Sequence, residues 1–337
     1  MTTAVIAAAA ISRYGTGWRG LGEALAAGAA LPGVPPELPL ASPRARKMMS
    51  RGAYLAAACL AELVRGAAWP RAACGYFLGV GASGGALDDM TALLAESIAD
   101  GAFSLARFGD RGLAACNPLL AFQLMNNFTL CHGAILEGIG GPSAAVFSRG
   151  TGTTAALIEA VHAIADGDCA QAIAGGADSA IHPVTEAELR RDGFVARGLV
   201  PSEGAAVITL GALGAPGAAG PAPLGVVEGC AIASGHGRPL AAAIAEAATR
   251  AAAGGIDLVV IAAWGPPAAA ALRGWARATT PDARVIDCEA LGDALAASPA
   301  LAWVAALDVL VAGGARRALV LTAGTDGDVG AAVLGAA

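Results

Sequence analysis

The stretch GGPSAAVFSRGTGTTAALIEAVHAIADGDCAQAIAGGAD, residues 140–178, decides the fold of this chain. Its apolar run at residues 144–147 predicts a short strand, which a tight turn connects to a helix. Apolar residues at helical spacing predict that helix over residues 153–165, and Asp166-Gly167 ends it. A second strand is predicted over residues 169–174. Strand, turn, helix and strand together indicate an α/β protein.

The turn between this first strand and the helix is where an enzyme of this build carries its nucleophile. A side chain at a helix N-terminus projects into a pocket, and the helix dipole activates it. Here the turn reads Ser148-Arg149-Gly150-Thr151-Gly152. The positions nearest the helix therefore offer Arg149 and Gly150 instead of a nucleophile, and this absence shapes the functional interpretation of the whole chain.

Composition restricts the class of protein. Hydrophobic residues make up 56% of the 337 residues, yet the longest uncharged runs, 112–136 and 204–227, are interrupted by polar residues, Gly or Pro. We therefore expect tightly packed helices on buried strands and an oligomer interface, without a membrane span. The net charge of -6 and the 4% of aromatic residues argue against nucleic-acid binding. Seven cysteines without framework or metal-ligand spacing predict a cytoplasmic protein with no metal site, and we expect no cofactor.

The second part of the chain repeats the first. Residues 212–223, rich in Gly and Pro, form the predicted linker between an N-terminal half at residues 1–211 and a C-terminal half at residues 224–337. In the C-terminal half, a helix predicted over residues 299–311 and a strand predicted over residues 318–322 repeat the helix and strand of the opening stretch. The sequence thus predicts a duplicated α/β unit whose halves form one compact body.

Two further segments of the N-terminal half bear on function. A strand predicted over residues 75–80 opens into Gly79-Val80-Gly81-Ala82-Ser83-Gly84-Gly85. This loop matches both the G-x-G-x-x-G dinucleotide fingerprint and the G-x-S-x-G nucleophile elbow, although a tight strand-to-helix turn explains it better than either motif in a chain with 47 glycines. Residues 118–136 predict one long apolar helix with Asn126 and Asn127 in its middle.

The order and spacing of several motifs resemble the β-ketoacyl synthase family. The motifs appear here as a glycine loop at 79–85, a Pro…Asn helix with Pro118 and Asn127, the pair Gly141-Pro142, a Gly-Gly-Ala-Glu-type turn at 175–178, and a G-x-V-x-x-E-G-A pattern at 198–205. The resemblance covers most of the chain and is best over residues 75–210. It implies the thiolase-like αβαβα layered fold, built from two duplicated halves.

Active members of that family use one cysteine and two histidines. The cysteine takes the acyl chain as a thioester, and the histidines promote decarboxylation of the extender and stabilise the oxyanion. By resemblance, the cysteine position falls on Gly150 (or on Arg149 if the turn slips by one), the histidine positions fall on Trp264 and Asp293, and the position of the family lysine falls on Cys288. Each catalytic position is therefore altered, which implies no independent activity.

The resemblance then implies a chain-length-factor-like subunit. Such subunits form a heterodimer with an active β-ketoacyl synthase and help to wall its acyl tunnel, during polyketide or fatty-acid-type elongation on an acyl carrier protein. The short, alanine-rich chain looks most like partners in aryl-polyene or related type II polyketide systems. The implied tunnel and interface positions are Leu124, Asn127, Phe128 and Cys131. The expected partners are an active ketosynthase and, through that complex, an acyl carrier protein.

Two other function classes remain open. The first is an acyl-transfer or hydrolytic enzyme of changed chemistry on the same fold. Its candidate nucleophiles are Ser148, Ser83, Cys131 and Cys116, and its candidate bases are His236 and His132. The second is a dinucleotide-dependent oxidoreductase, which rests on the glycines of residues 79–84. A fluorophosphonate or iodoacetamide probe that labels one residue would support the first class, and stabilisation by NAD(P) would support the second.

Overall fold

The computed structural model describes residues 3–31, 33, 35–40, 42–65, 70–82, 84–148, 150–213, 222–251 and 254–337. The strands are β1 (Thr3–Ser12), β2 (Gly15–Thr16), β3 (Gly75–Val80), β4 (Ile98–Ala99), β5 (Ala102–Phe103), β6 (Ser143–Phe147), β7 (Gln171–Ser179), β8 (Glu203–Ala212), β9 (Gly225–Ala233), β10 (Leu258–Ala263), β11 (Arg284–Asp287), β12 (Arg317–Ala323) and β13 (Val329–Gly335). The α-helices are α1 (Leu21–Ala26), α2 (Arg51–Val64), α3 (Leu87–Ser97), α4 (Leu105–Arg107), α5 (Leu113–Ala115), α6 (Leu120–Leu124), α7 (Phe128–Glu137), α8 (Gly152–Ala165), α9 (Pro183–Arg191), α10 (Leu240–Ala251), α11 (Pro266–Thr279) and α12 (Ser298–Val311).

Two five-stranded blocks with the same arrangement make up the main sheet. The strand order is β6-β3-β7-β8-β1 in the N-terminal block and β11-β10-β12-β13-β9 in the C-terminal block. In each block the first two pairings are parallel and the next two are antiparallel. A short antiparallel pairing of β1 with β9 joins the blocks. This matched order confirms the duplicated α/β architecture predicted from the sequence.

Helices fill three layers around the two blocks. Helices α8 and α12 lie between the blocks, where they form one hydrophobic cluster with the inner faces of both, including the fully buried Trp303. Helices α2 and α7 cover the outer face of the N-terminal block, and α10 and α11 cover that of the C-terminal block. The result is the αβαβα layering that the resemblance implied.

The boundary between the halves stays a prediction. Residues 214–221, the main part of the predicted linker, lie outside the described residues, while β8 ends at Ala212 on one side and β9 begins at Gly225 on the other. Each helix in the described ranges is too short or too polar to cross a membrane.

The helix predicted over residues 118–136 is wrong as a single element. Helix α6 ends at Leu124 and α7 begins at Phe128, and the backbone of Met125 between them is extended, with φ -86° and ψ 121°. Asn126 and Asn127 follow this break. Asparagine side chains compete with helical backbone hydrogen bonds, which favours a helix boundary over a continuous helix at this point.

The turn expected at residues 175–178 is also wrong, because β7 continues through it to Ser179. Gly175 and Gly176 pair with β8 in the sheet. A Cβ atom on Gly175 would overlap the carbonyl oxygen of Ala206, and one on Gly176 would overlap that of Ala296. These glycines therefore permit a close approach of backbones within a buried strand.

Candidate functional site

Gly150 lies in the turn between β6 and α8, where it is buried. A Cβ atom on Gly150 would lie 2.6 Å from Oδ1 of Asp326 and 2.9 Å from Cα of Gly324. The loop that follows β12, residues 324–328, therefore occupies the space that a nucleophilic side chain would need at position 150. Arg149, the alternative position for the nucleophile, lies outside the described residues.

Ser148 lies in the turn before α8. Its Oγ accepts long hydrogen bonds from the backbone N–H groups of Gly150, at 3.5 Å, and Thr151, at 3.4 Å. Both residues precede α8, which begins at Gly152, and its N-cap residue Thr151 makes no side-chain cap hydrogen bond. The hydroxyl group thus has a structural contact within the turn.

Trp264, at the first expected histidine position, directly follows β10. Its half-buried indole packs against a small hydrophobic cluster that contains Leu199 and Leu295. Its backbone N–H donates to the carbonyl oxygen of Ala323 at 3.0 Å, which ties the ends of β10 and β12 together. Trp264 and Ser148 line the same cavity of about 60 Å³. This volume holds a few water molecules.

Asp293 and Cys288, at the second histidine and the lysine positions, line an adjoining cavity of about 30 Å³. The Asp293 carboxylate accepts hydrogen bonds from the N–H groups of Gly265, at 3.2 Å, and Val200, at 3.3 Å. Burial raises the pKa of Asp293 to about 7. Burial also raises the pKa of the Cys288 thiol, which therefore stays protonated at neutral pH.

The structure thus brings the four expected catalytic positions into one region. Trp264 lines the first cavity and Asp293 lines the second. The two cavities are linked because Gly265, which directly follows Trp264, donates a hydrogen bond to Asp293. Gly150 lies behind the loop whose Thr325 lines the first cavity. None of the four histidines of the chain is among the described residues that line either cavity.

Asp178 is a site residue that sequence reasoning missed. Strand β7 places its buried carboxyl group in the first cavity, where it accepts from the N–H groups of Ser179 at 2.7 Å and Ala296 at 3.2 Å. Burial raises the pKa of Asp178 to about 7. The sequence did contain a signal for Asp178, namely an acidic residue at the end of an apolar strand. A carboxyl group buried there requires specific hydrogen-bond partners, which indicates a structural or functional role.

The Asp178 carboxyl group supports a strained turn. Leu295 has φ 49°, in the left-handed region that costs a side-chain-bearing residue about 1–2 kcal/mol. The next residue, Ala296, is held on both sides: its N–H donates to Asp178, and its carbonyl oxygen accepts from Oγ1 of Thr153 on α8 at 2.5 Å. Strained backbone that surrounding contacts hold in place is common at functional sites.

Among the described residues, the histidines and Cys131 of the alternative enzyme are not brought together with Ser148. Nε2 of His132 lies 3.1 Å from the carbonyl oxygen of Met48, and His236 lies in an exposed loop. Cys131 is half-buried on α7, where it packs against the outer N-terminal cluster. Ser83 lies outside the described residues. None of His132, His236 and Cys131 is among the described residues that line the Ser148 cavity.

The glycine loop at residues 79–85 packs against protein atoms. A Cβ atom on Gly79 would overlap Thr153, one on Gly81 would overlap the Asp178 carboxyl group, and one on Gly84 would lie 2.5 Å from Nε2 of His182. Helix α3, which follows, carries two aspartates in its first turn. Acidic residues there disfavour a phosphate at the helix N-terminus, so packing explains this fingerprint better than a dinucleotide does. In the described part of the chain, no group of three or more His, Cys, Asp or Glu residues is placed to hold a metal ion.

The expected tunnel positions follow one exposed side of α6 and α7. Phe128, Cys131 and Ile135 share a face of α7 by their helical spacing, with Asn127 at its start, and Ile135 is 75% exposed. Leu124, at the end of α6, is 40% exposed. The opposite face of α7 packs closely on α2.

Exposed large apolar side chains are concentrated in the segment from α3 to β6. We call this set the apolar face, and its members are Leu87, Leu94, Ile98, Phe103, Leu105, Leu113, Phe122, Leu124, Met125, Ile135 and Phe147. Strand β6 ends the N-terminal block, and among the described residues no strand pairs with its outer edge. An open sheet edge beside exposed apolar side chains marks a surface for protein association.

Known proteins share this fold. A structure described as the ishigamide ketosynthase/chain length factor has a TM-score of 0.75 at 24% identity, covering 100% of this chain and 99% of that chain. A type II PKS acyl-carrier protein in complex with its ketosynthase bound to the hexaketide gives 0.78 at 14% identity, with coverages of 100% and 99%. An oxazolomycin ketosynthase domain of Streptomyces albus JA3453 gives 0.70 at 18% identity, with coverages of 100% and 75%. At these identities the likeness shows the fold.

The family assignment rests on the sequence of the N-terminal half. No curated protein sequence matches this chain. The family model for the N-terminal domain of β-ketoacyl synthases matches residues 26–213, which is more than half of the chain. This segment includes the turn at Gly150, the glycine loop and the apolar face. The chain therefore belongs to the β-ketoacyl synthase family, with the thiolase-like fold of that family.

Proposed function

We propose that this chain is a non-catalytic, chain-length-factor-like subunit of a β-ketoacyl synthase heterodimer. In this role it pairs with an active ketosynthase and shapes the acyl tunnel of that partner during chain elongation on an acyl carrier protein. The observation that carries the proposal is the closure of the nucleophile position. Gly150 has no side chain, and Gly324 and Asp326 occupy the space that a side chain would need.

The other catalytic positions support the same proposal. An indole at position 264 cannot relay a proton at neutral pH, and both oxygens of Asp293 already accept backbone hydrogen bonds. The Cys288 thiol is buried in the core, where its raised pKa keeps it protonated. Each of these groups holds loops or core together, and none is available for decarboxylation or for carrying an acyl group.

The apolar face supports a protein partner, and the relatives suggest its identity. One similar structure is described as a ketosynthase/chain length factor, and another as a carrier protein in complex with its ketosynthase. We assign the partner of the apolar face as an active ketosynthase, with the acyl carrier protein reached through that complex. Leu124, Asn127, Phe128 and Cys131 are the proposed tunnel and interface residues, in a cytoplasmic polyketide system of type II or aryl-polyene kind.

Reconstitution of condensation tests this proposal. The purified chain alone, given an acyl carrier and a malonyl carrier, should release no carbon dioxide and form no ketoacyl product. Added to an active ketosynthase of the same organism, it should raise the yield or change the chain length of the product. The Gly150→Cys variant should remain inactive by itself, because no histidine is among the described residues that line the site. Condensation by the unmodified chain alone would contradict the proposal.

A second candidate function is an acyl-transfer or hydrolytic reaction at Ser148. The observation that favours it is that Ser148 and Asp178 line one cavity. A carboxylate whose conjugate acid has a pKa of about 7 suits a general base near neutral pH. A fluorophosphonate probe separates the two functions. Stoichiometric labelling of the wild type that is lost in Ser148→Ala would support the enzyme, whereas a subunit without catalysis leaves the probe unreacted.

A further inference from the structure

Residues 86–116 form a separate segment of the N-terminal half between β3 and α6. The segment contains α3, the hairpin of β4 and β5, α4, a π-helical turn (Phe108–Gly112) and α5. Helix α3 packs on the π-helical turn and on α5, so the segment folds back on itself. We call residues 86–116 the acidic arm, because five acidic residues and two arginines are its charged groups.

The acidic arm has no hydrophobic core. Of its residues only Ser97 and Gly112 are buried, and none of the hydrophobic clusters among the described residues includes one of its side chains. Its large apolar side chains are exposed instead, and Leu105 is 75% exposed. Ordering a segment costs conformational entropy, which burial of apolar surface normally offsets. Little therefore stabilises the arm in the isolated chain.

Local interactions nevertheless give the arm a defined shape. Asp100 and Gly101, with φ of 52° and 77°, form the two-residue turn of the β4–β5 hairpin. A Cβ atom on Gly112 would overlap Oγ of Ser97, so this glycine lets the π-helical turn approach α3. Lone hairpins and short helices are only marginally stable without a surface to pack on. The arm thus has a specified shape that requires a partner to hold it.

The root of the acidic arm is fixed to the core. Oε1 of Gln123 on α6 accepts from the backbone N–H of Ala86 at 2.9 Å, and Nε2 of the same side chain donates to the carbonyl oxygen of Lys47 at 2.9 Å. The buried Leu120 packs against Gly85, just before the arm. A protein that binds the apolar face therefore meets the arm at a set position.

The charge of the arm restricts what can cover it. Five acidic residues and two arginines give a net charge of -3. Asp110 pairs with the adjacent Arg111, whereas among the described residues Glu96 and Asp100 have no cationic partner. Two copies of this chain related by a two-fold axis would bring the same face, and hence like charges, together. The charge therefore favours a partner with basic side chains over a second copy.

We propose that the acidic arm is open in the isolated chain and becomes ordered against a basic and apolar surface of an active ketosynthase. The apolar side chains of the arm supply area for the partner to bury, and its carboxylates steer the encounter and select a partner of opposite charge. This inference rests on the proposed function, because it names the same partner. It adds that recognition is coupled to the ordering of residues 86–116.

Hydrogen–deuterium exchange of the full chain tests the order of the arm. Exchange is recorded by mass spectrometry for the chain alone and for its complex with an active ketosynthase of the same organism. Helix α2, which is buried on the N-terminal block, is the internal reference. In the isolated chain, amides of α3 should exchange at least about hundredfold faster than those of α2. In the complex, amides of α3 should slow at least about tenfold while those of α2 stay unchanged.

The outcomes separate this inference from the proposed function. A complex that forms while the arm still exchanges rapidly would overturn the inference and leave the proposed function standing. Equal protection of α3 and α2 in the isolated chain would also overturn it. Protection of the arm in a homodimer would identify a second copy as its partner and overturn the choice of a ketosynthase. The absence of any complex would contradict the proposed function itself, and this inference with it.

Neutral substitutions test the role of charge. Glu96→Gln combined with Asp100→Asn removes two exposed carboxylates, and an Asn-Gly pair keeps the hairpin turn. The matched control, Asp166→Asn with Asp168→Asn, removes two exposed carboxylates after α8, outside the arm. The arm variant should associate with the ketosynthase about fivefold more slowly at low salt, with most of the difference lost at high salt, while the control should match the wild type. An unchanged rate in the arm variant, or equal slowing in both variants, would overturn the assigned role of the carboxylates.

Discussion

Two regions of this chain differ in how completely their own atoms fill them. Around Gly150, Trp264, Asp293 and Cys288, the positions at which we expected catalytic side chains, protein atoms fill most of the space, and two cavities of about 60 and 30 Å³ remain. Across the apolar face, large side chains such as Ile135 are exposed and the edge of β6 is open. Under the proposed function, the contrast separates a surface kept for a partner from a site that has lost its chemistry. A subunit that contributes shape needs the former without the latter.

A charge on the apolar face should have the largest effect. Ile135→Asp places a carboxylate on the exposed face of α7, and the partner would have to desolvate it on binding. We expect the affinity for the ketosynthase to fall at least about thirtyfold, with the melting temperature of the isolated chain unchanged. Size-exclusion chromatography of mixed subunits measures this.

Val311→Asp is the matched control for that experiment. Val311 is also exposed, at the end of α12, outside the apolar face. Its substitution should leave the complex intact. Equal loss of pairing in both variants would show that the apolar face has no special role.

A side chain at the closed nucleophile position should destabilise the fold. Gly150→Ala forces Gly324 and Asp326 away from the start of α8, and overpacking of this kind costs about 1–3 kcal/mol. Urea unfolding of the isolated chain measures the change in the free energy of unfolding. Adding Asp326→Gly should recover part of the loss, because it removes one of the two obstacles. A neutral Gly150→Ala would show that the site is open.

The two buried acids should make stability depend on pH. The pKa values of Asp178 and Asp293 are raised to about 7 in the folded chain, from 3.8 as the ordinary value. The folded state therefore binds more protons than the unfolded state between about pH 4 and 7. Stability should be greatest at the acid end of this window and should fall as the pH rises towards 7.

Melting temperatures recorded from pH 5 to 8 test this dependence. Asp293→Asn should reduce the slope, and adding Asp178→Asn should reduce it further, because an amide does not titrate in this range. The exposed acids of the chain contribute equally to every variant, so the difference between variants isolates the two buried groups. A slope that is unchanged in the double variant would contradict the assignment.

The turn before α8 should give the smallest effect. Ser148→Ala removes the oxygen that accepts from Gly150 and Thr151, and losing a hydrogen bond of this kind costs about 0.5–1.5 kcal/mol. Because these hydrogen bonds are long, we expect a loss in the free energy of unfolding at the lower end of this range. Urea unfolding measures it. Pairing with the ketosynthase should be unaffected. A large loss of a hydrolytic or acyl-transfer activity would instead favour the Ser148 enzyme.

Local patterns in the sequence predicted much of this fold. The strand at Gly75–Val80 and the helix at Gly152–Ala165 follow from apolar runs with clear end signals. Sequence reasoning missed β9, because its place between β1 and β13 depends on pairing with strands far away in the sequence. It also placed a turn at residues 175–178, because glycine signals both turns and close backbone contacts.

The candidate site was predictable only in part. The family resemblance pointed to Gly150 and to the other expected catalytic positions. Nothing in the sequence pattern indicated that Asp326, in the C-terminal half, approaches Gly150. The role of Asp178 was not predicted for the same reason. Its character comes from burial and from its contacts with Ser179 and Ala296, and these exist only after the strands pair.

Co-expression with an active β-ketoacyl synthase of the same organism, followed by light scattering, tests the central claim most directly. We predict one species with the mass of a one-to-one complex, which Ile135→Asp dissociates and Val311→Asp does not. A stable homodimer of this chain that leaves the ketosynthase unbound would contradict the account.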